Sequence, residues 1–166
     1  MSGPDTEFIG KIGLLLGEVR ADRTVLERLA IRIQEAVAVA PWEAGSPMLA
    51  VVAVTVHHYY AGAESVFERI ARTFEGLPGT GERWHRDLLH SMSIEIRGLR
   101  PALLGPSVEV HLRELLAFRH FFHHAYSVDF EPDRMLELGR TLLRTHPELS
   151  KNLDSFEEFL EAVHRY

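Results

Sequence analysis

The chain has 166 residues, 46% hydrophobic and 25% charged, with no cysteine and a formal net charge of −6. That length suits a single domain over residues 1–166 with a core of its own, and the balance excludes extensive disorder. The lack of cysteine excludes a disulfide scaffold and thiolate metal sites, while the acidity argues against a protein that coats nucleic acid non-specifically.

The N-terminal residues Met1-Ser2-Gly3-Pro4-Asp5 carry an acid and no basic cluster, unlike a secretory signal. The most apolar run, Met48 to Val56, is far shorter than the ~20 residues of a membrane span. The expected address is the cytoplasm, with no membrane partner. Lys11 and Lys151 are the only lysines, so the positive charge is arginine, whose planar fork suits phosphate.

Turn signals divide the chain into about five or six helical segments, which predicts an all-α, antiparallel bundle. The first is expected from Thr6 to Ala40, where Ile12, Leu15, Leu16, Val19, Leu26, Leu29, Ile33 and Val37 draw one apolar stripe before Pro41. Ser46 as N-cap and Pro47 at the first helical position open the second, which continues to Glu75. Its seam is Val52, Val56, Tyr59, Ala63, Phe67 and Ile70, and that spacing favours helix over strand for the valine-rich start. After a glycine-rich connector at Gly76 to Gly81, a shorter helix carries Trp84, Leu88 and Met92 in register. Ser107 is expected to cap a helix that reaches Tyr126, with Val108, Leu112, Leu115, Phe122 and Tyr126 on one face. Pro132 starts another helix, and Pro147 a last one striped by Leu149, Leu153, Phe156, Leu160 and Val163. The acids Glu157, Glu158 and Glu161 read as a solvated face of that last helix.

The densest cluster of chemically capable side chains is Arg119-His120-Phe121-Phe122-His123-His124-Ala125-Tyr126. Arg119 falls within the apolar face of Leu112, Leu115, Phe122 and Tyr126, so it must be paired or must face a cleft or a partner subunit. Arg119 and His124 are roughly 140° apart on an ideal helix. For both to serve one phosphate, the helix must bend or end there, or a second subunit must help. Polar side chains near a helix end also describe an ordinary solvated surface, and Tyr126 also reads as a core residue.

The pattern R-x-x-x-x-H followed by x-Y, here Arg119, His124 and Tyr126, resembles the signature of HepT-like toxins within the HEPN group of helical ribonucleases. The resemblance extends from about Tyr59 to Leu160 through His58-Tyr59-Tyr60, Glu64, Phe67 to Ala71, Trp84 to Leu89, Arg100-Pro101 and Phe118-Arg119-His120. It departs at His123, where the similar subgroup carries arginine. The resemblance implies a homodimer with two such motifs around one cleft, cutting RNA without a metal or other cofactor. Arg119 would hold the phosphate and stabilise its growing charge, and His124 would act as general base or general acid. His120 and His123 would support the cleft. The same resemblance implies a partner, a small nucleotidyltransferase antitoxin that transfers AMP to Tyr126 and silences the enzyme.

Two other readings stay open. A non-catalytic HEPN-like binding module that partners a nucleotidyltransferase would fit the departure at His123. A metal site would need His57, His58, His120, His124 and Glu64 to converge between helices, although no H-E-x-x-H pattern is present. Glu82, Arg83, Trp84, His85 and Arg86 form a candidate RNA rim, with Trp84 as either a base-stacking platform or a core anchor.

Overall fold

The computed structural model describes residues 4–76, 79–81, 83–124 and 129–165, and the side chains of Pro4, Asp5 and His124 lie outside that description. Its described helices are α1 (Pro4–Ala38), α2 (Pro47–Phe74), α3 (Trp84–Ser91), α4 (Pro106–His124) and α5 (Pro132–His164). Among the described residues there is no strand; Ile96 and Arg100 make an isolated antiparallel bridge. The all-α expectation holds. None of these helices is long and apolar enough to cross a membrane.

Cross-helix contacts give the directions. Along α1, residues 9, 20 and 27 meet residues 164, 157 and 146 of α5, so the two run antiparallel. Glu18 and Asp22 of α1 reach back to Arg69 of α2. Ser107 and Glu114 of α4 meet Glu148 and Thr141 of α5. α2 packs against each of the other four helices, and its seam residues Val52, Val56, Tyr59, Ala63, Phe67 and Ile70 are all buried. The valine-rich start is helical because those residues lie on the same inward line as the rest. Its N-terminus forms as expected: the Ser46 hydroxyl accepts the Met48 amide at 3.3 Å, with Pro47 at the first position. Close approach of α1 is permitted by Gly62 and Gly139, where an added Cβ would stand 3.1 Å from Leu26 and from Val37 respectively.

Three expectations change. Pro132 and Pro147 do not begin separate helices; α5 runs unbroken from Pro132 to His164 with Pro147 inside it. Proline removes one ladder donor and crowds the preceding turn. Met135, Leu138 and Leu142 before it, and Leu149, Leu153, Phe156 and Leu160 after it, form one buried stripe. The burial of that stripe holds the helix through the defect. Ser107 is not the cap of α4 but lies within its first turn, and its hydroxyl donates to Glu148 at 2.7 Å. Glu157 is not solvated: it is 8% exposed and accepts from Arg20 at 3.0 Å and Arg23 at 2.6 Å, clamping α5 to α1. Arg20 also pairs with Glu161.

The chain between α3 and α4 is organised by Arg100, which is 2% exposed. Its Nε donates to Glu75 at 2.6 Å, and its terminal nitrogens donate to the carbonyls of Ser91, Ile94 and Pro101 at 3.1–3.2 Å. The guanidinium fork thus ties the end of α2 to the end of α3 and sets where α4 begins.

Candidate active site

α2 and α4 run antiparallel, so the last turns of α4 lie against the middle of α2. Phe122 stacks on His57 at 4.9 Å, and Arg119 comes opposite Glu64. Arg119 sits on the inward face of α4, as its place among Leu112, Leu115 and Phe122 requires. Its pairing answers the burial problem. Arg119 Nη2 stands 3.6 Å from Glu64 Oε1, and the two side chains are 16% and 7% exposed.

Glu64 is also held from the other side. His85, in the first turn of α3, places Nδ1 2.7 Å from Glu64 Oε2. A carboxylate can only accept, so Nδ1 carries a proton, and whenever the ring is neutral its lone pair is on Nε2. Arg119 Nη1 lies 3.4 Å from Nε2 and the same distance from Nδ1. One buried carboxylate therefore gathers a guanidinium and an imidazole from two other helices. Trp84 packs against the His85 ring at 3.9 Å, and His120 approaches it edge-on at 5.6 Å.

A second group of rings adjoins the first. His123 meets His57 edge-on at 4.9 Å, and His58 is 5.6 Å from His57. Burial chiefly, and then the cations of His123, His58 and Arg119, hold the His57 imidazole below its ordinary pKa. Tyr60 lies fully buried one turn before Glu64; burial and the Glu64 charge push its phenol well above the usual range, against the opposing effect of Arg119. Among the described residues, Tyr60 Oη, Arg119 Nε and His57 Nδ1 find no hydrogen-bond partner. These three atoms are buried, so they belong to the packing of the site and not to its open face.

Of the residues singled out in the sequence, Arg119, His120 and His123 of the motif segment reach this one locality, together with His57, His58 and Glu64 of the metal reading and His85 of the rim. The described part of α4 reaches His124, and whether the helix stops there lies outside the described residues. The His124 side chain and the whole of Tyr126 lie outside the described residues, as does Glu82 of the candidate rim. Trp84 is half-buried and packs against the core. Among the described residues, no three His, Asp or Glu side chains are gathered so as to hold a metal ion. Glu64 is engaged by two donors, and His57 by an aromatic stack.

Glu64, His85, Tyr60 and His57 are the members that motif spacing does not reveal. A signal for Glu64 was nonetheless present. It lies in the line Ala53, Tyr60, Phe67 and Ala71, all buried, so it is an acid on an apolar face just as Arg119 is a base on one.

A family model described as HepT-like protein matches residues 51–160. No curated protein and no solved structure matches. The matched span takes in α2 almost entirely, α3, α4 and most of α5, and so includes every residue of the site.

Proposed function

The chain belongs to the HepT-like protein family, and from that premise we propose that it is a metal-independent endoribonuclease toxin. Its cleft is formed by two copies of the chain, and a nucleotidyltransferase antitoxin silences it by placing AMP on Tyr126. The observation that carries this reading is the pairing of Arg119 with Glu64 at 3.6 Å. It fixes the guanidinium on the inward face of α4, five positions before His124 in the chain.

In this reading the Arg119 guanidinium binds the non-bridging oxygens of the scissile phosphate, where its charge opposes the charge that grows in the transition state. Glu64 fixes where that guanidinium stands. His124 transfers a proton during the displacement. AMP on Tyr126 adds bulk and negative charge two residues from His124, where phosphate must enter, and so blocks the substrate electrostatically as well as sterically.

Purified protein should cleave RNA in the presence of EDTA, and His124→Ala should slow cleavage about 10²- to 10⁴-fold. Cleavage that needs added divalent metal, or that survives His124→Ala, overturns the assignment. Incubation with ATP and a nucleotidyltransferase antitoxin of the kind proposed should add one AMP at Tyr126, found by peptide mass. A specific feature favours a second reading: His123, where the chain departs from the resemblance noted in its sequence, rests against the His57 ring. A non-catalytic module bound to the nucleotidyltransferase predicts no cleavage and a stable one-to-one complex.

A further inference from the structure

We propose that His85 is a second proton-transfer residue of this site, the general base that takes the 2′-hydroxyl proton while His124 protonates the leaving oxygen. This rests on the ribonuclease reading above.

The arrangement has the parts such a base needs. The Glu64 carboxylate, 6% exposed, accepts from His85 Nδ1 at 2.7 Å and so fixes both the tautomer and the orientation of the ring. Trp84 at 3.9 Å and His120 at 5.6 Å bound the ring on other sides. Arg119 Nη1 stands 3.4 Å from both Nε2 and Nδ1, beside the ring and off the axis of the Nε2 lone pair. That nitrogen belongs to the guanidinium assigned to the phosphate, so a phosphate bound there brings its neighbouring ribose hydroxyl to the imidazole. His85 is 16% exposed along its side chain, so the ring is not sealed in the core.

Three other imidazoles lack one of these parts. His146 is bonded to Glu27 at 2.6 Å, but its second nitrogen accepts from Tyr59 at 3.0 Å inside the core. His90 pairs with Glu109 at 3.3 Å on an exposed side chain, and no contact joins it to Arg119. His57 has Phe122 stacked on it and no carboxylate behind it.

The step balances as a transesterification. The 2′-oxygen attacks phosphorus and its proton passes to His85 Nε2. The bond from phosphorus to the 5′-oxygen breaks, and that oxygen takes a proton from His124. The products are a 2′,3′-cyclic phosphate and a 5′-hydroxyl, and exchange with water restores both imidazoles.

The test uses the full chain in EDTA and an RNA with one scissile linkage, made with either a 5′-oxygen or a 5′-sulfur leaving atom. Sulfur leaves without a proton, so the thio substrate should rescue His124→Ala. It should not rescue His85→Asn, whose amide can keep the bond to Glu64 but cannot take a proton; we expect a loss of about 10²- to 10³-fold on both substrates. His85→Gln provides a second replacement, and thermal melts establish that each variant is folded. Glu64→Gln, which keeps the imidazole and removes the anion behind it, should be about 10- to 100-fold slower on both. His85→Asn or His85→Gln at the wild-type rate, or a loss that sulfur relieves, overturns the inference. If His124→Ala is inactive meanwhile, the ribonuclease reading stands without it. A wild-type protein that cleaves neither substrate overturns both.

Discussion

A buried carboxylate is costly unless its oxygens are engaged. Glu64 is engaged by groups that chemistry needs to be fixed in place, so its desolvation is offset by the same contacts that orient Arg119 and His85. The neighbouring histidines have the opposite character. His57 has no carboxylate against it, and folding favours its neutral form. The sign follows: its contribution to stability is full above the ordinary histidine value of 6.5 and is lost as pH falls through its lower folded value. Replacing His57 by phenylalanine keeps the ring against Phe122 and removes the titration. The wild type should therefore lose more of its urea midpoint than His57→Phe between about pH 7.5 and about pH 5. Equal losses would show that His57 does not carry the acid sensitivity.

At the scale of elements, Pro147 divides what local sequence tells from what packing decides. A proline after a polar stretch reads as a helix start, and by local rules that reading is sound. It fails because the apolar spacing on both sides of Pro147 lies on one line, and burying that line outweighs one missing hydrogen bond and a local clash. Pro147→Ala restores the donor, so it should stabilise the protein by about 1–3 kcal/mol, read as a rise in melting temperature. An unchanged or lower value would mean the turn is relaxed around the ring. The apolar seams of α1, α2 and α4 were legible because their periodicity is long and unbroken. Arg119 was legible for the converse reason, as a charge that interrupts such a seam. Its partners were not, because Glu64 and His85 lie 55 and 34 positions away along the chain and only the crossing of α2, α3 and α4 brings them together. Glu157 was misread for a related reason: an acid among acids looks solvated until Arg20 and Arg23 of α1 arrive beside it.

For the molecule as a whole, the net charge of −6 means that, on the proposed ribonuclease reading, RNA must be drawn to a place rather than to a surface. The place is the crossing of α2 and α4, where Arg119 and the rings of His57, His58, His85, His120 and His123 lie. Val51 and Val54 of α2, 42% and 38% exposed, precede His57 and His58 by one to two turns. A second copy seated over this end of the bundle would cover them. Val54→Glu should then shift the protein from dimer to monomer in sedimentation and reduce RNA cleavage, while the circular dichroism spectrum stays helical. A variant that remains dimeric would place the two-fold contact elsewhere. The paired tyrosines of α2 carry a last consequence. Tyr59 faces α5 through His146, and Tyr60 faces α4 beside Glu64. Deleting one residue between Tyr60 and Glu64 would rotate the rest of α2 by about 100°, swinging Glu64 away from both Arg119 and His85. Insertions and deletions in this chain should thus be tolerated in its connectors and lethal to activity within this single turn, even where the bundle still assembles.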